Sequence, residues 1–378
     1  MKRFRLPECL AASQAEKDGH WTASGTPLLS HPSPFEPCYA LPSIAVAVVG
    51  VGLVGKEVVR QLFAPALRGV FEIVLLSNSK HAVIFEANSE QQSVDALFAL
   101  LPLSPTAVSA PPPPGATHIA PDFDNVISTL ITRSRATSMH TVLIDCTSSA
   151  ALAERYPHAI RSGLSVVTPN KKAFSASSAL YTAILSAQRE PGAGLCYHEA
   201  TCGAGLPVLS TLRDLVATGD EVVRIEGALS GTLAYLFNQF STPDGIGEGK
   251  TFSEIVRIAM EDGHTEPHPA DDLSGADVAR KLTILARLAS PPSTPGSSSL
   301  PPLASLAEGH ASIPTESLIP PALAARASGD AGAFVAALAV HDAHFAALRD
   351  DAAARGRVLR YVGVLDREKG EIRCGLEA

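Results

Sequence analysis

Six apolar residues, Ile44 to Val49, run directly into GVGLVG at 50–55 and then into a helical stretch beginning KEVV at 56–59. This order of strand, glycine-rich turn and helix constrains the fold more than any other feature of the chain. A G-x-G-x-x-G string alone is a weak signal. Behind a β-branched strand, however, its glycines have separate tasks: a tight turn, close approach of backbone to a pyrophosphate, and close packing of helix on strand. The helix N-terminus then offers free N–H groups to an anion. Gly50, Gly52, Val54 and Gly55 are therefore candidate dinucleotide contacts. The alternative is a glycine-rich turn that holds no ligand.

From residue 44 onward apolar runs alternate with helical stretches, as in βαβ units around a mostly parallel sheet. Strands are expected at 44–49, 71–76, 141–146 and 164–168. Four consecutive prolines at 111–114 can neither continue a helix nor donate to a ladder, so they mark a surface loop. Beyond 171 the pattern changes to helices at 172–188, 205–217, 231–240, 251–262 and 276–288, with strands near 194–201 and 221–229. A proline- and serine-rich stretch at 290–304 precedes a polar helix near 331–353 and strands at 357–365 and 371–376. The reading is an α/β protein in three parts. An irregular extension occupies 1–42, a doubly wound parallel sheet of Rossmann type 43–171, and an α+β substrate domain 172–378.

A chain of 378 residues exceeds one hydrophobic core, and 46% hydrophobic with 18% charged residues is ordinary globular composition. The net charge of −8 comes without any block of lysine or arginine, so there is no electrostatic footprint for nucleic acid or anionic lipid. The six cysteines lack C-x-x-C spacing, which points away from a disulfide framework or zinc site. Lys2, Arg3 and Arg5 have no apolar segment behind them, and the run 44–49 is too short to cross a bilayer. The expectation is a cytosolic protein acting on a small molecule, with neither nucleic acid nor membrane as partner.

Dinucleotide choice is read at the end of the second strand, where an acidic residue would bind the ribose hydroxyls of NAD. Here the chain has Ser77, Asn78, Ser79 and Lys80 instead. Ser77 and Lys80 could accept a 2′-phosphate, so the expected cofactor is NADP, with NAD tolerated.

Several stretches resemble homoserine dehydrogenase, most closely the fungal, monofunctional form. They are DCTSS at 145–149, TPNKKAFS at 168–175, HEATCGAGLP at 198–207, EGALSGTLAY at 226–235 and, above all, AMEDGHTEPHPADDLSGADVARK at 259–281. The resemblance implies reversible NAD(P)H-dependent reduction of aspartate semialdehyde to homoserine, a step toward threonine and methionine, in a homodimer. It further implies that Lys281 and Lys172 are catalytic and that Glu266, Asp272 and Asp277 surround the substrate. Thr147, Ser148 and Lys172 would touch the cofactor. A lysine cation near a developing alkoxide stabilises it and can supply a proton. Taken without the surrounding signature, Asp277 and Lys281 are an i,i+4 surface ion pair, and the carboxylates a solvated acidic loop.

By the same resemblance a monovalent cation, Na⁺ or K⁺, would sit on Glu199 and the carbonyls of Cys202, Ala204 and Leu206. A hard cation suits such oxygen donors. A catalytic thiolate at Cys202 is the rival idea, though no adjacent histidine pattern supports it. His264 and His268 depart from the family's usual residues and flank Glu266, which raises two expectations: coupling of their protonation to substrate affinity, or no effect at all. The family continues for several dozen residues past the position of Ala378, so a shortened and weakly stable chain is a further expectation. A catalytically impaired relative that still binds cofactor is the alternative function. Another semialdehyde enzyme with a nucleophilic cysteine fits the two lysines and the 259–281 stretch poorly.

Overall fold

The computed structural model describes residues 44–67, 69–86, 93–102, 109–243, 249–290 and 306–378. The extension 1–42 and all but the first residue of the stretch 290–304 lie outside them.

Ten strands form two sheets. The first seven are β1 (Ile44–Val49), β2 (Phe71–Ser77), β3 (Ala82–Phe85), β4 (Ala116–Ile119), β5 (Thr141–Asp145), β6 (Ser165–Val167) and β7 (Cys196–Tyr197). They lie in the order β4-β3-β2-β1-β5-β6-β7. β1 pairs in parallel with β2 on one side and β5 on the other, and β6 and β7 continue the parallel half. Chain order reverses across β1. The crevice outside the carboxyl ends of strands at such a switch is where doubly wound sheets bind their ligands. The parallel strands read as continuous apolar runs because both faces are covered; Ala45 to Val49 are all almost fully buried.

β3 and β4 were not legible as strands. β3 returns antiparallel to β2 and β4 antiparallel to β3. The reversal after β2 is made by Asn78, whose Oδ1 accepts the N–H groups of Lys80 and His81 at 2.8 Å each, an Asx-type turn. The prolines at 111–114 lie outside regular structure before β4, as a loop should.

A second correction concerns residues 194–201. The expected strand there shrinks to β7 and belongs to the first sheet, which therefore extends past the expected boundary at 171. The helices Lys172–Ser175 and Ser178–Ala187 form the crossover between β6 and β7. The expected single helix 172–188 is broken at Ala176, whose backbone is extended.

The remaining strands, β8 (Arg224–Gly227), β9 (Arg360–Asp366) and β10 (Glu371–Glu377), form an antiparallel sheet in the order β10-β9-β8. The helices Gly231–Phe240 and Ala276–Ala289 pack on β9. Gly363 lets the second of these come close: a Cβ there would lie 3.3 Å from Val278. The helical stretch 331–354 is apolar in its first part and polar in its second; its most apolar 18 residues have a mean hydropathy of 1.4, long and apolar enough to cross a membrane by length and composition alone. It is divided by a 3-10 turn at 339–341 and seats Phe334, Val335, Leu338 and Phe345 in the core. One cluster of buried side chains runs from Ala45 through Phe237 to Cys374, so both sheets share a core.

Candidate active site

The glycine loop divides its work as the spacing predicts. Gly50 has φ +90°, and a Cβ on it would lie 2.7 Å from Thr147 Cγ2. A Cβ on Gly55 would lie 2.3 Å from the Gly50 carbonyl oxygen. Both are demanded by the protein's packing on itself. Around Gly52, by contrast, nothing lies within 4 Å of that position, so the bare backbone there is open to a ligand's approach. The helix Leu53–Leu62 starts at Gly52 without a side-chain cap, which leaves first-turn N–H groups for an anion. Gly55→Ala is expected to lower stability by roughly 1–3 kcal/mol through overpacking. Gly52→Ala should melt like the parent yet bind the dinucleotide about tenfold or more weaker, a loss of about 1.4 kcal/mol. Thermal melts beside a fluorescence titration with NADPH distinguish the two.

Ser77 does not present its hydroxyl to a ligand. It is 1% exposed, and its carbonyl accepts the N–H groups of Gly50 (2.8 Å) and Val51 (3.0 Å). It frames the glycine loop from behind. Ser79 and Lys80 are exposed beyond it.

Below the loop a cleft of about 1070 Å³ collects Val54, Thr147, Ser148, Lys171, Lys172, Glu266, Asp272, Asp277 and Lys281. Residues as far apart in the chain as Val54 and Lys281 are brought to one space by the switch point on one side and the helix Ala276–Ala289 on the other. Thr147 and Ser148 follow β5, and the lysines follow β6.

These two loops are locked together by a buried group that sequence reasoning missed. Asp145, at the end of β5, is fully buried. Its carboxylate accepts the Tyr156 hydroxyl, the Thr147 N–H at 2.7 Å and the Asn170 side-chain amide at 3.1 Å. Asn170 also donates to the Ser149 carbonyl at 2.9 Å and accepts the Lys172 N–H at 3.1 Å. The Tyr156 hydroxyl is held protonated by burial, then by the neighbouring Asp145 charge.

Asp277 and Lys281 face the cleft from the first turns of Ala276–Ala289. The helix begins at Gly275, φ +73°, where a Cβ would lie 2.0 Å from the Tyr361 hydroxyl. Lys281 Nζ is 2.6 Å from Asp277 Oδ2 and donates to the Leu229 carbonyl at 2.8 Å. Asp277 has a second cation, Lys171, at 3.2 Å. Thus it is Lys171, not the expected Lys172, that joins this cluster; Lys172 lines the cleft without an ion pair among the described residues. The signal was present in the adjacent pair KK at 171–172, but sequence alone does not say which lysine turns inward. Burial raises the Asp277 pKa, and Lys281 and Lys171 outweigh it, so the carboxyl sits below its ordinary value. At Asp272 burial wins, aided by the charges of Glu266 and Asp277, and the pKa is raised; the Glu266 N–H, at 2.8 Å from Oδ2, offsets only part.

The opposite wall adds residues the sequence reading did not single out. Gly231, Thr232 and Tyr235 line the cleft from the N-terminal half of the helix Gly231–Phe240. The side chain of its N-cap Ser230 accepts the Leu233 N–H at 3.2 Å, which leaves the N–H groups of Gly231 and Thr232, both lining the cleft, without a side-chain cap. The Ser-Gly-Thr start in EGALSGTLAY was the available signal. His264 lies on the Tyr235 ring at 4.8 Å and lines the cleft. His268 does not. Its Nδ1 accepts the Ala270 N–H at 3.2 Å as a helix cap, and its ring packs on Phe334.

In the loop after β7, Glu199 accepts the N–H groups of Leu209 (2.8 Å) and Ser210 (3.0 Å), capping the helix Val208–Ala217 from a distance. Ala204 is left-handed, φ 52°. The Leu206 carbonyl accepts the Val208 N–H at 2.8 Å, whereas those of Cys202 and Ala204 have no hydrogen bond among the described residues. A carboxylate and two open carbonyls in one loop are oxygen donors of the kind a hard cation takes. The Cys202 thiol is 3% exposed and burial pushes its pKa up to about 11, so the thiolate role is not supported. His198 just before it is pushed down to about 3 by burial and then by Arg213.

Residues 50–198 match the family model for the homoserine dehydrogenase NAD-binding domain, and residues 207–378 that for homoserine dehydrogenase itself. The chain is 42% identical to the homoserine dehydrogenase of Emericella nidulans over 336 residues, 88% of this chain and 83% of the relative. The chain belongs to the homoserine dehydrogenase family. To the Saccharomyces cerevisiae homoserine dehydrogenase it is 36% identical, again over 88% of this chain and 83% of the relative. The fold also matches a hyperthermophilic archaeal homoserine dehydrogenase solved with NADPH, with a TM-score of 0.58, 18% identity, and 89% and 82% of the two chains covered. Members of this family are NAD(P)-dependent oxidoreductases, and here Val54 of the glycine loop lines the same cleft as Lys171, Asp277 and Lys281.

Proposed function

We propose that the chain reversibly reduces L-aspartate 4-semialdehyde to L-homoserine, as a step toward threonine and methionine, in the cleft between the glycine loop and the helix Ala276–Ala289. The observation that carries this reading is the convergence of Lys171, Lys281 and Asp277 beside the dinucleotide loop. When bound, the nicotinamide supplies the hydride to the aldehyde carbon, or takes it back in the reverse direction. The protein's part is to bind, orient and protonate. An ammonium has three N–H donors. Lys281 gives one to Leu229 and one to Asp277, which leaves one for the substrate oxygen as negative charge develops there. Lys171 keeps Asp277 ionised and the cluster in place. Glu266 and Asp272 receive the substrate ammonium, and the uncapped N-terminus of Gly231–Phe240 receives its carboxylate. Glu199 and the open carbonyls of Cys202 and Ala204 would hold Na⁺ or K⁺.

The working form is a cytosolic homodimer. The direct test is oxidation of NADPH followed at 340 nm with aspartate semialdehyde, and its absence with malate semialdehyde analogues lacking the amino group. No turnover under saturating cofactor would favour a cofactor-binding relative instead.

Because Asp272 keeps its proton to higher pH than an ordinary aspartic acid and Asp277 loses its proton lower, acidification neutralises Asp272 first. The homoserine KM should therefore rise on the acid side before kcat falls. In Asp272→Asn the KM should already be raised at neutral pH, with the acid-side slope flattened.

NADP is the preferred dinucleotide, modestly, since Lys80 stands beyond β2 where no carboxylate does. Lys80→Glu should shift the ratio of kcat/KM values toward NAD by about tenfold. An unchanged ratio would remove Lys80 from cofactor selection.

A further inference from the structure

A second cavity, of about 320 Å³, opens among the helix Ser178–Ala187, β7 and the helix Val208–Ala217. Its floor is apolar: Phe174, Tyr181, Ile184 and Cys196 are buried there, and Leu288 closes one side. None of the hydride chemistry uses it. Polar side chains line it nevertheless; Gln188 is already engaged, its Oε1 accepting the Cys196 N–H at 2.8 Å, and three ionisable ones are not so spent. Arg189 and Arg213 line the cavity, and neither forms an ion pair among the described residues.

The third is His198, 7% exposed, its ring stacked on Phe174 at 3.9 Å. Its Nδ1 lies 3.3 Å from Thr201 Oγ1, and that hydroxyl already donates its proton to the His198 carbonyl at 2.7 Å. Thr201 can therefore only accept from Nδ1, which makes Nδ1 the protonated nitrogen and leaves the lone pair on Nε2. Nε2 has no protein partner among the described residues, yet it is not sealed off from solvent as an orphaned buried atom would be. It faces the cavity as an acceptor.

We propose that this cavity binds a small aromatic carboxylate that carries an N–H or O–H donor. The carboxylate meets Arg213 and Arg189, the ring lies on Tyr181, Ile184 and Leu288, and the donor reaches His198 Nε2. Charge and size select this class. A free amino acid would bring an ammonium toward two guanidinium groups, and a dinucleotide exceeds the space. The cavity also shares elements with the active site. Phe174 follows Lys171 and Lys172 in the chain, and Leu288 lies about two turns beyond Lys281 on one helix. An occupant is thus expected to be felt at the lysines.

Indole-3-acetate combines the three features and serves as the probe. Isothermal titration and saturation-transfer NMR on the full chain, with NADP⁺ and homoserine both saturating, should show it bound while the cleft is filled. Arg213→Glu, on an exposed helix surface, should weaken it about tenfold or more and leave the basal turnover unchanged. His198→Phe should weaken it too, with the fold checked by its melt. No binding up to millimolar probe, displacement by homoserine or NADP⁺, or equal affinity in Arg213→Glu would overturn the proposal. So would loss of probe binding as the chain self-associates on concentration, which would assign this face to a second copy.

Discussion

Lys281→Met is expected to lower kcat by about 10²–10⁴-fold, roughly 3–5 kcal/mol of transition-state stabilisation, while NADPH affinity stays within about twofold of the parent. The change removes an ammonium that combines an inward position, a carbonyl anchor at Leu229 and a carboxylate at Asp277. Lys171→Met should fall in the same range, because it takes the second cation from Asp277 and lets burial raise that carboxyl's pKa. Lys172→Met is the informative control. Its side chain makes no ion pair among the described residues, and its loss should cost clearly less than that of Lys171. Steady-state kinetics in both directions, with cofactor affinity measured separately, decide the ranking. Equal losses at 171 and 172 would mean that the convergence on Asp277 does not identify the working lysine.

Asp145→Ala is expected to destabilise the protein by roughly 3–5 kcal/mol, the largest stability effect of any substitution near the site. Alanine would leave the Tyr156 hydroxyl, the Thr147 N–H and one Asn170 amide hydrogen without their acceptor in a fully buried place. Each unsatisfied buried donor costs about 1–3 kcal/mol, reduced where water can enter. The damage should also reach function, since Asn170 orients the backbone of Lys172 and Thr147 abuts Gly50. Calorimetric melting and NADPH titration of the same variant test both halves. A variant that melts like the parent would show that the two loops do not depend on this carboxylate.

Much of the architecture was legible because periodicity and turn chemistry are local. The strands at 44–49 and 141–145, the helix at 231–240 and the glycine loop follow from runs of apolar residues and from positions where a side chain would collide. What stayed illegible depended on partners far away in the chain. β3 and β4 are four residues each, too short for alternation to show; β3 exists because β2 offers it an edge, and β4 because β3 does. β7 has only two residues and is a strand because Val166 and Val167 lie beside it.

The site divides in the same way. The sequence by itself supplied the candidates: glycines at 50, 52 and 55, paired lysines at 171 and 172, the carboxylates at 266, 272 and 277, and Lys281. Which of them come together was decided by the tertiary structure alone. Asp277 and Lys281 share a helix turn, but Lys171 reaches the same carboxylate from the far side of the cleft, across more than a hundred residues of chain. Ser77 looked like a cofactor contact until burial turned its hydroxyl inward, and His268 like a substrate neighbour until its ring capped a helix. A side chain's direction and burial are set by everything packed around it, and no local pattern carries that information.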